Sequence, residues 1–478
     1  MPSTTLNGYA ALKFFNVIDG KPRTSKNHEQ VIDPRTEEPL WDVPIASTQD
    51  LDDAVEAATR AFKTWKNTTV AERQKILHDV AECLLKNQEL LADILSRETG
   101  KSKPMANVDV DRTAFHYEYY TNVALEDEVQ YEDDEVTVIG THAPIGVMGA
   151  ISPWNFPLLL SSVKVASALA TGNCVIIKPS PFTPYSLLKF CELAQPFLPP
   201  GVFQAVNGGA DLGEAMTLHP GIQHISFTGT NAVGQRILQN CARSLKRVVL
   251  EMAGNNACIV CEDVDLDVVV PRVASGCFFH AGQVCIASKR IYVHESLYDR
   301  FLDMLVEEAR KTYVVDSDEA VLFAPLSNKV NFERAKGFLE DCKKNGYNIV
   351  EGGEVRTGKK GYWMSPTIVS KPPDDSLLVR EEQFAPIAPI MSWTDEADVI
   401  ARSNLDNAGL GASVYTKDLD RARKIASQLE AGSVWINRFE RPHHGAYFGG
   451  WKLSGYGGEL GKHGLYNYCQ MKSIHIHK

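Results

Sequence analysis

From about residue 145 the chain alternates short apolar stretches with amphipathic ones, and this rhythm constrains the fold more than any other feature. Cys174-Val175-Ile176-Ile177-Lys178 reads as a strand and 183–197 as a helix; strands follow at 202–206, 222–227 and 247–251, separated by helices at 211–218 and 232–245. The strands are apolar throughout instead of alternating, so both faces must be covered. Strands of that kind joined by helices form a parallel sheet with helices on either side. A second series repeats the pattern, with a strand at 289–293, a helix at 296–311 and further strands at 389–393, 412–416 and 432–437.

The region before this is helical. Asp50 is the expected cap of a helix that carries Leu51, Val55, Ala58, Phe62 and Trp65 along one face, and Thr69-Val70-Ala71-Glu72 forms a capping box for the next. Two stretches stand apart, 134–141 and 470–478, the latter with the alternation Ile474-His475-Ile476-His477. Both read as exposed strands, whose open edges call for a partner, so a homodimer or homotetramer is expected. At 478 residues the chain is long enough for two substantial cores and a small appendage, and it shows no internal repeat.

A net charge of -11 argues against nucleic acid or an anionic membrane as partner. No apolar run is long enough to span a bilayer, and the N-terminal Met1-Pro2-Ser3-Thr4-Thr5-Leu6-Asn7-Gly8 lacks the basic and apolar regions of a secretion signal. The ten cysteines follow no disulfide pattern, which suits free thiols in a reducing, cytoplasmic setting. Cys258-Ile259-Val260-Cys261 lies in an apparent buried strand with no second pair, so it reads as core and no metal site is expected.

Five segments carry chemistry. Cys285, in Gly282-Gln283-Val284-Cys285, and Glu251, in Leu250-Glu251-Met252-Ala253-Gly254-Asn255, supply a thiol nucleophile and a carboxylate able to activate water. Asn155, set between bulky rings in Pro153-Trp154-Asn155-Phe156-Pro157, offers an amide donor suited to an oxyanion. Phe227-Thr228-Gly229-Thr230-Asn231-Ala232-Val233-Gly234 passes from strand to helix where a pyrophosphate could approach, though its spacing is Gly-x-x-x-x-Gly. Lys178 stands at the carboxyl end of its strand, on the ligand-binding edge of open α/β sheets. Alone, each has a plain structural reading: a buried Cys, a polar residue in a proline turn, a tight turn, a solvated Lys.

Together, and in this order with Glu381-Glu382-Gln383-Phe384 and the terminal Phe448-Gly449-Gly450-Trp451-Lys452-Leu453-Ser454-Gly455, they resemble the NAD(P)-dependent aldehyde dehydrogenase superfamily of the hydrolytic, non-acylating type. The resemblance implies an α/β fold with a Rossmann-like cofactor domain (1–122 and 144–252), an α/β catalytic domain (253–454) and a small β oligomerisation flap (123–143 and 455–478). It further implies Cys285 as nucleophile, its N–H and Asn155 as oxyanion donors, and Glu251 as base for thioester hydrolysis. Ile151, Ser152, Trp154, Lys178, Ser180, Gly209, Gly213, Phe227, Gly229, Thr230, Val233, Met252, Glu382 and Phe384, with Glu251 and Cys285, would line the cofactor site.

Departures from the family pattern bear on specificity. Pro181 stands where NAD-preferring members often carry a Glu, so NAD is expected while NADP becomes tolerable on charge grounds. Ala253 and Ala385 replace common glycines. Phe279 occupies a position at which relatives resembling succinate-semialdehyde dehydrogenase carry an Arg. With Trp154, Phe156, Phe439 and Tyr447 it suggests an apolar or aromatic aldehyde. The charges of Asn437-Arg438-Phe439-Glu440-Arg441-Pro442-His443-His444 read as solvated loop charges at the substrate mouth. A CoA-acylating relative and a catalytically silent binding protein are the alternatives; the first typically lacks the Glu, and the second would have lost Cys285, Asn155 or Glu251.

Overall fold

The computed structural model describes residues 12–313, 322–356, 358, 360–439 and 441–478. The N-terminal octapeptide and Glu440 lie outside the described residues.

Two hairpins come first, β1 (Asn16–Ile18) with β2 (Lys21–Arg23) and β3 (His28–Ile32) with β4 (Pro39–Pro44). Helices α1 (Thr48–Trp65), α2 (Val70–Lys86), α3 (Gln88–Thr99) and α4 (Lys103–Tyr119) follow. The cap of α1 is Ser47, not Asp50 as expected. Ser47 has the extended backbone a cap requires, and Asp50 is already helical; its carboxylate accepts the Ser47 N–H at 2.8 Å while its own N–H donates to Ser47 Oγ at 3.2 Å. The Thr69–Glu72 box opens α2 as read from the sequence.

Strands β5 (Glu128–Glu132) and β6 (Val136–Pro144) then lead into the alternating series: β7 (Val147–Ile151), α5 (Pro157–Ala170), β8 (Cys174–Lys178), α6 (Tyr185–Ala194), β9 (Phe203–Ala205), α7 (Ala210–Leu218), β10 (His224–Thr228), α8 (Asn231–Ala242) and β11 (Arg247–Glu251). The helix expected over 183–197 ends at Ala194 and tightens into a 3-10 turn over Gln195–Phe197, because Pro196 has no N–H to continue it. A second series holds β12 (Asn256–Val260), α9 (Leu266–Phe278), β13 (Ser288–His294), α10 (Tyr298–Thr312), α11 (Lys329–Lys344), β14 (Asn348–Glu351), β15 (Thr367–Ser370), β16 (Ile387–Trp393), β17 (Gly411–Tyr415) and β18 (Ser433–Ile436). The chain closes with β19 (Gly455–Tyr456) and β20 (Cys469–His477). Cys258 and Cys261 are both buried in the core beside β12.

The first sheet has the order β19-β11-β10-β7-β8-β9-β1-β2, with β7 to β11 all parallel. The chain runs from β7 outward through β8 and β9, then returns to the other side of β7 as β10 and β11. The order therefore reverses between β7 and β10, whose carboxyl ends open the crevice where ligands of such sheets bind. In the second sheet, β14-β15-β16-β13-β12-β17-β18, only β14 is antiparallel. The functional segments of this sheet precede its strands: Cys285 comes before β13 and Glu382 before β16. A seam thus forms where carboxyl ends of one sheet meet amino ends of the other.

The third sheet, β20-β6-β5, stands apart. β20 pairs antiparallel with β6 along its whole length, and Val129, Tyr131, Met471, Ile474 and Ile476 are exposed on it. Among the described residues no helix is long and apolar enough to cross a membrane.

Candidate active site

A cavity of about 510 Å³ occupies the seam, lined by Trp154, Asn155, Gly229, Thr230, Glu251, Met252, Cys285, Glu382 and Phe384 among others. The parallel ladder places the first set. Thr228 and Glu251 are paired at the ends of β10 and β11, and Asn155 follows β7 on the turn into α5.

Cys285 is held differently. The three residues His280, Ala281 and Gly282 all have left-handed backbone, with φ of 50°, 53° and 69°. For the two non-glycine residues this conformation costs roughly 1–3 kcal/mol each. Gly282 cannot carry a side chain, since a Cβ would lie 2.3 Å from the Ala385 carbonyl oxygen. Gln283 braces this run from both ends of its amide. Nε2 donates to the carbonyls of His280 (3.0 Å) and Pro325 (3.1 Å), and Oε1 accepts the Ser327 N–H at 2.8 Å. Lys289 donates to the Gly282 carbonyl at 2.5 Å, and Asn256 Nδ2 donates to the carbonyls of Cys285 (2.8 Å) and Ala287 (2.7 Å). Asn155 Nδ2 donates to the Gln283 carbonyl at 3.0 Å, which leaves its second N–H unused by that bond.

Cys285 and Glu251 line the same cavity, near enough that the carboxylate acts on the thiol. Burial pushes the thiol well above its usual range, and the neighbouring Glu251 carboxylate adds to the rise. Burial likewise raises Glu251 to about 7, opposed by the ammonium of Lys164. Lys164, from α5, is itself buried and paired with Glu459 at 3.0 Å; Ser226 and Tyr468 donate to the same carboxylate at 2.7 and 2.8 Å. The sequence reading missed this pair. Its partners stand far apart in the chain, and the apolar sequence of α5 around Lys164 does not name the acid that pairs with it.

On the cofactor side, Glu382 accepts the Gly254 N–H at 3.2 Å and is raised to about 7 by burial, with Lys289 opposing. Trp154 and Phe384 meet edge to face at 5.4 Å. Lys178, Ser180, Gly209 and Gly213 lie beyond this cavity, at the carboxyl end of β8 and the start of α7. Lys178 donates to the Gly208 carbonyl at 2.7 Å, its pKa lowered to about 8 by burial, while the carboxylate of Glu29 opposes that fall. Glu29, on β3, comes within 3.5 Å of Asn207 Nδ2. Nothing in the sequence around Glu29 pointed there, because β3 reaches this edge only through folding. Ile151, Ser152 and Phe227 are buried at the switch point, and Val233 is exposed on the first turn of α8.

The residues fit a dinucleotide. Gly209 has open space where a Cβ would be, and buried Glu251 Oε1, Asn255 Oδ1 and Asn407 Oδ1 around the cavity have no close protein partner among the described residues.

The five aromatics expected around the substrate divide. Phe156, Phe279 and Phe448 join Val284, Ile286 and Trp435 in an apolar cluster with Cys285, and Phe439 meets Phe279 at 6.3 Å. Trp154 faces Phe384 on the cofactor side. Tyr447 lies over Gly449 and Gly458 instead.

A model of the aldehyde dehydrogenase family matches residues 21–474. The chain is 41% identical over 466 residues to an aldehyde dehydrogenase designated LUC3 from a Fusarium species, covering 97% of this chain and 99% of that one. It is 38% identical to rat retinaldehyde dehydrogenase 3, covering 93% and 88%. The NAD+ complex of an aldehyde dehydrogenase from Bacillus cereus superposes with a TM-score of 0.96 at 32% identity, covering 100% of this chain and 99% of that one. The betaine aldehyde dehydrogenase of Staphylococcus aureus in complex with NAD+ gives 0.94 at 30%, covering 98% and 95%.

Proposed function

This chain belongs to the aldehyde dehydrogenase family of NAD(P)-dependent aldehyde-oxidising enzymes, and we propose that it converts an apolar or aromatic aldehyde to the free carboxylic acid through a thioester on Cys285. The observation that carries this reading is the Cys285 thiol facing the Glu251 carboxyl at the seam, with the Asn155 amide fastened beside them.

The thiol is protonated at neutral pH, so it must lose its proton to attack. Glu251, with a pKa near 7, is the adjacent acceptor. Attack of Sγ on the carbonyl carbon places negative charge on the aldehyde oxygen, which the free Asn155 N–H and the Cys285 backbone N–H would stabilise. NAD+, when bound, supplies the hydride acceptor. Oxidation leaves a thioester on Cys285; Glu251, having passed its first proton to solvent, takes a proton from water, whose oxygen attacks the acyl carbon; the C–S bond then breaks and that proton returns to the leaving sulfur, which frees the acid and the thiol. The strained but braced loop keeps Sγ in place through both attacks, as positioning of reacting groups requires. Phe156, Phe279, Trp435 and Phe448 exclude bulk water from the acyl group.

Gly229 and Thr230 would face the pyrophosphate, Lys178 the adenosine ribose, and Glu382 with Phe384 the nicotinamide riboside. Glu29 supports NAD over NADP: it brings a carboxylate from β3 to the Lys178 edge, in the role the sequence at Pro181 had vacated, and would repel a 2′-phosphate. The three-stranded flap, with its exposed apolar residues, supports a homodimer or homotetramer and a separate oligomerisation role for 123–143 and 455–478 beside cofactor and catalytic domains.

The test is a panel of aromatic and aliphatic aldehydes with NAD+ and CoA present, with products identified by mass. Free acid is expected from the wild type, and no turnover from Cys285→Ala. Acyl-CoA as product, or turnover surviving in Cys285→Ala, would overturn the reading.

A further inference from the structure

Phe156 belongs to the apolar cluster around Cys285, yet its ring also meets a charge. The ammonium of Lys101 lies 3.6 Å from the ring centre. Lys101 stands in the short link between α3 and α4. α3 ends on the left-handed Gly100, Ser96 Oγ donates to the Lys101 carbonyl at 2.6 Å, and Ser102 caps α4. With the backbone fixed on both sides, the Lys101 side chain is buried, and its Nζ donates to Asp109 of α4 at 2.6 Å, short as charge-assisted bonds are.

A buried ion pair adds little net stability, because desolvation offsets the attraction. Against an aromatic face the same charge is directional: the negative face of the ring draws the ammonium onto its axis, most strongly where water is excluded. The Phe156 ring also meets His280, edge to face at 5.4 Å, and His280 opens the left-handed run ahead of Cys285. Phe156 follows Asn155 on the turn from β7 into α5, which begins there without a side-chain cap. The turn is gripped instead by the Asn155 amide on the Gln283 carbonyl and by the Phe156 ring against Lys101 and His280.

We propose that Lys101 and Asp109 are a positioning pair for the reaction: they fix the Phe156 ring and through it aim the Asn155 amide at the oxygen of the reacting carbonyl. This rests on the proposed role of Asn155 as oxyanion donor. Neither residue of the pair lines the cavity, so the pair acts through the ring. Asp109 Oδ1 has no partner among the described residues, and losing Lys101 alone would strand a buried carboxylate. The informative variant therefore removes both charges.

The test uses the enzyme without cofactor and two reagents for Cys285. With 4-nitrophenyl acetate, Sγ attacks the ester carbonyl, negative charge builds on its oxygen, and 4-nitrophenolate leaves while the thiol proton passes to Glu251. Iodoacetamide instead alkylates Sγ by displacing iodide from a CH2 carbon, with no oxyanion. In K101M/D109L, acylation should slow roughly tenfold, since the donor is misaimed and not lost, while alkylation stays within about twofold of wild type. K101R keeps a cation for both the pair and the ring and should hold most of the acylation rate. N155A, the reference, should lose roughly 10²–10³-fold in acylation. Wild-type acylation in K101M/D109L, or equal slowing of acylation and alkylation, would overturn the positioning pair and leave the oxyanion role standing. Wild-type acylation in N155A would overturn both. Urea melts show which variants are folded. Should K101M/D109L not fold, F156L carries the test: the same selective loss is expected, and a wild-type ratio of the two rates would overturn the pair.

Discussion

The two walls of the seam are built by different means. The first presents carboxyl ends of parallel strands, so Asn155, Thr228 and Glu251 are aimed by an uninterrupted backbone ladder. The second presents Cys285 on a left-handed run ahead of β13, held by side-chain amides and ammonium groups bonding to backbone carbonyls. Phe384, also on the second wall, has a φ of 50°. A ladder tolerates loss of one side chain, whereas a strained loop is only as firm as its braces. In the proposed mechanism the chemistry is divided accordingly: a base on the rigid wall and a nucleophile on the braced one.

That contrast can be broken most directly with glycines. Gly282→Ala should abolish turnover and lower stability, with roughly 1–3 kcal/mol from the left-handed backbone alone, because its new Cβ meets a fixed carbonyl of Ala385. Gly229→Ala on the first wall meets the Phe227 ring, at 2.4 Å, but no backbone carbonyl, and its φ is not left-handed. Urea melts of both variants decide it, and equal losses of stability would contradict the division.

The chemical half of the comparison is sharpened by Glu251→Gln. Thiol deprotonation and thioester hydrolysis should both slow, hydrolysis by roughly 10²–10⁴-fold, read as NADH formation and acid release, with stability unchanged. In wild type a carboxyl with a pKa near 7 is increasingly protonated below that pH. Hydrolysis should therefore fall about tenfold per unit below pH 7 and level off above it, and the glutamine variant should lose that inflection. NADH formation and acid release as fast as in wild type would count against the assignment.

The smallest effect is expected at Glu29, which lies on the margin of the first wall. Glu29→Gln should tighten NADP+ binding by roughly two- to fivefold, the worth of one partly exposed charge, with little change for NAD+. Fluorescence titration of the enzyme without aldehyde measures it. An unchanged NADP+ affinity would remove Glu29 from cofactor selection.

Much of the first wall was legible before folding was considered. The strands at 174–178 and 247–251 appear with the bounds read from their apolar runs, since a buried parallel strand must be apolar from end to end. The second wall was legible only as motifs. Cys285 and Gly282 could be named, but the braces from Gln283, Lys289 and Asn256 could not, because a hydrogen-bonding side chain carries no mark of its partner. Ser47 was passed over for Asp50 because both are capping residues and only backbone angles separate them.

The sequence by itself determined the strand-and-helix rhythm, the parallel sheets and the candidates for the reacting groups, all of which depend on local periodicity and side-chain chemistry. Only the tertiary structure decided which groups face each other: Glu251 with Cys285, Lys164 with Glu459 and Glu29 with the Lys178 edge. Those pairings depend on burial and on contacts between distant segments, and burial is what moves the thiol and the two seam carboxylates away from their solution behaviour.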